Sequence, residues 1–164
     1  MTDFRIGQGF DVHRFCGRGD LKLCGLTIPD EMGLEGHSDG DVALHSVADA
    51  ILGAVARGDL GEHFPPSDER WRDADSGDLV KQVLAIAAGD GFRVVNCDLT
   101  LVGEQPLIAP HRQNLRSSLA RILDVDPSLV SVKATTTEGL GFTGRREGLA
   151  AMSVVLMERR PCDD

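Results

Sequence analysis

The chain has 164 residues, of which 41% are hydrophobic and 26% are charged, a balance that suits one folded domain and excludes an intrinsically disordered chain. Seventeen Lys and Arg residues against 26 Asp and Glu residues give a net charge of −9, which argues against binding to nucleic acid or to an anionic membrane surface. No apolar run approaches the ~18 residues of a membrane span, and residues 1–5 lack the features of a secretory signal, so we expect a cytoplasmic protein.

The first third of the chain predicts strands followed by a helix. Residues 5–13 alternate in polarity as a half-buried strand does. Residues 21–28 predict a short hairpin that turns at Gly25 and is closed by Pro29. Apolar side chains that recur every four residues then predict a helix over residues 41–55.

Strands and helices alternate irregularly along the rest of the chain. Ser38 or Asp39 is expected to cap the helix at 41–55. The later elements are predicted to be a surface loop at 59–75, a helix at 76–89, a strand at 93–102, a helix after Pro110, and strands at 130–134 and 149–157. This order predicts one α+β domain over residues 1–158, in which helices pack on one face of a mixed β-sheet as a two-layer sandwich. Residues 159–164 are expected to form a flexible tail.

Carboxylate and imidazole side chains in two segments indicate a metal site. Asp11 and His13 lie two residues apart on the first predicted strand, so they project to the same side. They supply two of the three protein ligands of a catalytic zinc site, and His45 in the following helix is the third candidate. Asp41 and Asp49 lie one turn before and after His45, so either is expected to accept the second N–H of its ring. The alternative is a solvated acidic helix face with an ordinary surface histidine.

Three consecutive threonines after the strand at 130–134 form a second candidate site. The hydroxyls and backbone N–H groups of residues 135–137 are suited to hold a phosphate. The adjacent Glu138 carboxylate is suited to hold a hard cation that bridges phosphate oxygens. Threonine is also an ordinary strand residue, so this run alone leaves a purely structural role open.

Four motifs occur in a fixed order: GFDVH at 9–13, HSDGDVALH at 37–45, GDLGEHFPPSD at 58–68 and KATTTEGLGFTGRREG at 133–148. Together they resemble the 2-C-methyl-D-erythritol 2,4-cyclodiphosphate synthases of the non-mevalonate isoprenoid pathway. The resemblance implies that the 2-phosphate of 4-diphosphocytidyl-2-C-methyl-D-erythritol 2-phosphate attacks the β-phosphorus of the diphosphate. The implied products are the cyclic diphosphate and CMP, and the implied assembly is a homotrimer with active sites between neighbouring subunits.

The resemblance also implies two cation sites. Zn²⁺ or another divalent ion is expected on Asp11, His13 and His45. A second ion, Mg²⁺ or Mn²⁺, is expected on Glu138, where it would bridge the diphosphate. The residues alone leave two alternatives open, a zinc-dependent phosphohydrolase and a non-catalytic protein that binds a metal or a nucleotide.

Catalytic and substrate-binding positions follow from the same resemblance. The positions that stabilise the transition state in the family fall on His37 and Thr136. The implied substrate contacts are Asp11, Val12, His13, His37 and Ser38; Asp59, Leu60 and Gly61; Phe64, Pro65, Pro66, Ser67 and Asp68; Gly103, Glu104, Gln105, Pro106, Leu107, Ile108 and Ala109; Thr135, Thr136, Thr137 and Glu138; and Phe142 and Arg145.

Two positions depart from the family pattern. The family often reads FPDTD where this chain reads FPPSD, so Pro66 replaces one carboxylate and Asp68 is the expected acceptor of a substrate hydroxyl. Leu107 follows Pro106 where the family often has a lysine, which removes a positive charge near the nucleotide. We expect these changes to alter the affinity for the nucleotide and to leave the reaction the same.

Overall fold

A computed structural model describes residues 3–160, apart from the side chains of Arg18 and Asp30. The strands are β1 (Phe4–Leu23), β2 (Leu26–Leu34), β3 (Phe92–Val102), β4 (Val130–Thr135) and β5 (Gly148–Arg159). The helices are α1 (Val42–Ala54), α2 (Leu60–His63), α3 (Ser76–Gly89), α4 (Arg112–Leu123) and α5 (Gly141–Gly144), with 3₁₀ turns at Glu69–Trp71 and Pro127–Leu129. Within residues 3–160, no helix combines the length and the apolar character that crossing a bilayer requires.

The strands form one mixed sheet in the order β2-β1-β5-β3-β4. The β3–β4 pair is parallel and the other pairs are antiparallel, which confirms the predicted α+β fold with a mixed sheet. One face of the sheet is buried, with α1 against β1 and β5, α3 against β3, and α4 against β4. On the opposite face the central strands β1 and β5 expose six large apolar side chains, which we call the apolar sheet face: Phe4, Ile6, Phe10, Val12, Met152 and Val154.

The hairpin of β1 and β2 is longer than predicted. Its turn is as expected, because Cys24 and Gly25 both have positive φ angles, 52° and 75°, as a two-residue hairpin turn requires. The strand predicted to end at residue 13 instead continues to Leu23, with an irregular register against β2 between Phe15 and Asp20. Pro29 lies inside β2 and does not close the hairpin, since β2 is an edge strand where a residue without an N–H group is tolerated.

Close contact between α1 and β1 positions the first set of site residues. A side chain at Gly9 would overlap the backbone carbonyl of Ser46, so only glycine allows α1 to lie this near the strand. The Ser153 hydroxyl donates to the same Ser46 carbonyl at 2.7 Å and ties α1 to β5. This packing brings His45, the neighbour of Ser46, over the part of β1 that carries Asp11.

Helix α1 is capped by Asp41, and the expectation of Ser38 or Asp39 as the cap was wrong. The Asp41 carboxylate is fully buried and accepts hydrogen bonds from three backbone N–H groups: Cys24 at 3.1 Å, Gly25 at 2.7 Å and Leu44 at 3.0 Å. Burial raises the pKa of this carboxyl, and the N–H groups of Gly25 and Leu44 partly offset that shift. One side chain therefore fastens the hairpin turn to the start of α1.

We expect Asp41→Ala to lower the free energy of unfolding by about 3 kcal/mol, because it leaves three backbone N–H groups, two of them buried, without an acceptor. Urea unfolding followed by circular dichroism measures the loss. Asp126→Ala is the matched control, since Asp126 accepts one bond from Ser128 N at 2.8 Å on the surface. That control is expected to cost at most about 1 kcal/mol. Equal losses in the two variants would contradict the role given to Asp41.

The segment predicted as a surface loop at 59–75 contains ordered structure. Asp59 caps α2 by accepting a bond from Glu62 N at 3.0 Å, and Asp68 caps the 3₁₀ turn that follows. Phe64 is buried, and its ring meets that of Trp71 edge-on, with centroids 4.9 Å apart at 89°. At the other end of the chain, β5 includes Arg159, and residues 161–164 lie outside the described part.

Candidate metal site and substrate pocket

Asp11, His13 and His45 converge beside the middle of β1, near the point where its pairing with β5 ends. The His13 Nε2 atom lies 2.9 Å from Asp11 Oδ2 and 3.0 Å from His45 Nδ1, and the third side of this triangle, from Asp11 Oδ2 to His45 Nδ1, is 3.1 Å. Tetrahedral zinc with bonds of about 2.0–2.1 Å holds its ligand atoms about 3.3 Å apart. The three residues, which we call the triad, therefore form a group that could bind a metal ion.

The triad is tightly coupled electrostatically. Burial alone would raise the pKa of the Asp11 carboxyl, but hydrogen bonds and charge attraction from His13 and His45 lower it far below its usual range. Burial alone would lower the pKa of the His13 ring, but its contact with Asp11 raises it above the ordinary value. A carboxylate that stays ionised beside imidazole nitrogen atoms offers a cation the kind of ligands that zinc takes.

The outer nitrogen atoms of both imidazoles have partners. His13 Nδ1 contacts the backbone carbonyl of Glu35. His45 Nε2 lies 2.9 Å from Ser38 Oγ and 3.0 Å from Ser76 Oγ. The expectation that Asp41 or Asp49 accepts the second N–H of His45 was therefore wrong. Asp41 is occupied by its three N–H groups, and Asp49 accepts a bond from Leu60 N at 2.7 Å.

The triad opens into a cavity of about 280 Å³ between α1, α2 and the segment before α3. Besides the triad, its wall includes six of the residues predicted to contact the substrate, which are His37, Ser38, Leu60, Gly61, Phe64 and Pro66. The sequence analysis did not predict three other residues of the cavity wall, namely Asp49, Trp71 and Leu79. The aromatic side chain of Trp71, in a segment that is otherwise polar, was the one available signal for its role.

Other predicted contacts in the same segment lie outside this cavity. Asp59 and Asp68 act as helix caps, and Asp68 also pairs with Arg70 at 2.6 Å. Pro65 is half-buried and Ser67 is exposed, and neither lines the cavity. Val12 belongs to the apolar sheet face, since it alternates with Asp11 and His13 along β1.

A second group of predicted residues gathers at the ends of β3 and β4. The Glu104 side chain accepts hydrogen bonds from Thr137 N at 3.2 Å and from Gly139 N at 3.3 Å, which joins the loop at 103–109 to the loop after Thr135. The Thr136 hydroxyl donates to Glu138 Oε1 at 3.2 Å. We call residues 103–109 and 135–139 the threonine-loop cluster.

The threonine-loop cluster and the triad do not meet within one chain. The sheet order places β4 three strand spacings from β1, about 14 Å, and none of the cluster's residues lines the triad cavity. Phe142 and Arg145 are exposed near α5 and also stay outside the cavity, with Arg145 paired to Glu147 at 2.8 Å. A single chain thus presents two separate halves of the predicted site.

Sequence comparison shows that the chain is similar to cyclodiphosphate synthases. The profile of the YgbB family matches residues 4–158. The 2-C-methyl-D-erythritol 2,4-cyclodiphosphate synthase of Geobacillus kaustophilus is 54% identical over 156 residues, covering 95% of this chain and 99% of that protein.

Solved structures agree with the sequence relatives. The fold superposes on the bifunctional IspDF of Campylobacter jejuni with a TM-score of 0.94 at 42% identity, covering 98% of this chain and 43% of that one. It also superposes on a CDP-bound 2C-methyl-D-erythritol-2,4-cyclodiphosphate synthase with a TM-score of 0.86 at 36% identity, covering 93% of this chain and 99% of that one.

Proposed function

The chain belongs to the YgbB family, and from this premise we propose that it is a 2-C-methyl-D-erythritol 2,4-cyclodiphosphate synthase, a phosphorus–oxygen lyase. The observation that carries the proposal is the triad, which joins a carboxylate and two imidazoles at the mouth of a cavity. A zinc hydrolase or a non-catalytic binding protein is not favoured, because relatives that align over nearly their whole length are synthases.

The reaction is an intramolecular transfer. A 2-phosphate oxygen forms a bond to the β-phosphorus, the bond from that phosphorus to the bridging oxygen breaks, and the electron pair leaves with CMP. The attacking phosphate is already ionised at neutral pH, so the chain needs no general base. The barrier is the approach of two negatively charged groups, which positioning and charge neutralisation lower.

Individual residues supply these effects. When bound to Asp11, His13 and His45, a divalent cation contributes positive charge and an open coordination position next to the cavity. His37 and Ser38 on the cavity wall donate hydrogen bonds to phosphate oxygens, and Thr136 does the same from the other half of the site. The first ion is Zn²⁺ in this proposal, since two imidazoles and a carboxylate suit it. The second is Mg²⁺ or Mn²⁺, held at Glu138, whose exposed carboxylate suits a hard cation.

Incubation with the diphosphocytidyl substrate, followed by phosphorus NMR, tests this function. Formation of the cyclic diphosphate together with CMP supports the synthase. Release of free phosphate would indicate the hydrolase, and an unchanged substrate would indicate a binding protein. Either of the last two results overturns the proposal.

We further propose that three copies of the chain assemble so that the triad of one subunit faces the threonine-loop cluster of its neighbour. Two observations support this assembly. The two halves of the site do not share a cavity in one chain, and β4, which leads into the threonine loop, lies three strand spacings from β1. In addition, the six side chains of the apolar sheet face are exposed to solvent in a single chain, and an interface between copies would remove this apolar surface from water.

We expect Ile6→Glu to convert the trimer into monomers. Ile6 is 72% exposed in a single chain, and the variant places a charge within the proposed interface, where no water would solvate it. Light scattering coupled to size-exclusion chromatography measures the mass. Leu129→Glu is the matched control, because Leu129 is 42% exposed outside the sheet, in a 3₁₀ turn, and this variant is expected to remain a trimer. A trimeric Ile6→Glu variant would exclude the apolar sheet face as the interface.

A further inference from the structure

Outside the triad, a chain of contacts links His45 to a buried carboxylate. The Ser76 hydroxyl, at the first residue of α3, lies 3.0 Å from His45 Nε2 and donates to Asp39 Oδ1. The Ser76 backbone N–H donates to the other oxygen of Asp39 at 3.2 Å. Ser76 is fully buried, and only 9% of the Asp39 side chain is exposed. The path therefore lies almost entirely inside the protein.

The Asp39 carboxylate is surrounded by donors. Besides Ser76, its Oδ1 atom accepts from Asp41 N at 3.3 Å, and its Oδ2 atom lies 3.5 Å from the Lys22 ammonium. A carboxylate in such surroundings acts as an acceptor. The single hydroxyl proton of Ser76 therefore points at Asp39, and the lone pairs of Ser76 are left for His45.

The orientation of Ser76 restricts the tautomer of His45. An oxygen that can only accept at this position requires a proton on Nε2, so Nδ1, which faces Asp11 and His13, is the nitrogen available to bind a cation. We propose that Asp39, acting through Ser76, is a positioning residue that fixes His45 as an Nδ1 ligand. The inference rests on the proposed function of the triad as a metal site.

Ser38 has a different role in this arrangement. Its hydroxyl also lies within reach of His45 Nε2, at 2.9 Å, but it lines the cavity. Ser76 secures the outer nitrogen of His45 from inside the protein, so Ser38 is free to turn its proton toward a phosphate oxygen. Asp39 and Ser76 thus orient the metal ligand His45, and the hydroxyl of Ser38 remains available to bind the substrate.

Zinc affinity in the absence of substrate tests the proposal, using competition with a chromogenic chelator. We expect Ser76→Ala and Asp39→Asn each to weaken zinc binding by about 10-fold or more. The double variant is expected to bind no more weakly than Ser76→Ala, because Asp39 acts through that hydroxyl. Asp75→Asn is the control, since Asp75 caps the same helix through Asp78 N and does not touch His45. It is expected to stay within about twofold of the wild type.

Nitrogen NMR of the zinc-loaded wild-type protein provides a second measurement that needs no variant. The expected spectrum has His45 bound to zinc through Nδ1, with a slowly exchanging proton on Nε2. Coordination through Nε2, additive losses in the double variant, or a Ser76→Ala protein that binds zinc as tightly as the wild type would each overturn the proposal. These measurements use no substrate, so they test the role of Asp39 and Ser76 even if the protein fails to act as a synthase.

Discussion

Replacing His45 by alanine is expected to lower the rate of cyclisation by at least about 1,000-fold, because a cation at the triad supplies several kcal/mol of charge stabilisation in the transition state. The His45 ring provides one corner of the triad, 3.0 Å from His13 Nε2 and 3.1 Å from Asp11 Oδ2. With two ligands left, the site is expected to lose its stoichiometric metal as well. Phosphorus NMR gives the rate, and elemental analysis of the purified protein gives the metal content.

A matched histidine variant separates this effect from general damage. His63→Ala removes a ring that lies outside the cavity and bonds to the Arg57 carbonyl at 2.7 Å. Its rate and metal content are expected to match those of the wild type. If His45→Ala loses its metal yet cyclises the substrate at the normal rate, the triad has no part in the chemistry.

Mixing two inactive variants is expected to restore activity. His45→Ala destroys the triad half of the site, and Thr136→Ala removes a donor from the threonine-loop cluster, with an expected loss of about 100-fold or more. In mixed trimers, a site is intact when the intact triad of one subunit faces the intact threonine loop of its neighbour. Random exchange at equal amounts makes about one quarter of the sites intact, so we expect about one quarter of the wild-type rate.

The necessary control is a protein that carries both substitutions on one chain. A subunit of this double variant has neither an intact triad nor an intact threonine loop. Mixing it with the wild type therefore creates no additional intact site and can only lower the activity per chain. A mixture of the two single variants that has exchanged subunits, as shown by mass-tagged chains, and yet stays inactive would contradict a site shared between subunits.

Much of the fold follows from local sequence pattern. The spacing of apolar residues places a helix at 41–55 and a strand at 130–134, and the structure has α1 at Val42–Ala54 and β4 at Val130–Thr135. The end of β1 does not follow from local pattern. Residues 14–20 contain three charged residues and two glycines, and they stay extended because β2 pairs alongside, for example Phe15 with Leu34. Such pairing depends on contacts that a window of sequence does not contain.

The candidate site divides in the same way. Asp11 and His13 share a side because residues two apart on a strand must do so. Their meeting with His45 depends on the close approach of α1 at Gly9, and this contact joins distant parts of the chain. Ser76 lies 31 residues from His45, in a helix whose pattern indicated only a buried face, so its position beside the ring had no local signal. Trp71 differs, because an aromatic side chain in a polar segment is a local signal, although it does not say which cavity the ring lines.

The most direct measurement is phosphorus NMR of the diphosphocytidyl substrate with metal-free protein, before and after one equivalent of Zn²⁺ is restored in the presence of Mg²⁺. Metal-free protein is expected to leave the substrate unchanged, and the reloaded protein is expected to form the cyclic diphosphate and CMP. Cyclisation at full rate by a protein shown by elemental analysis to hold no transition metal would contradict the role of Asp11, His13 and His45.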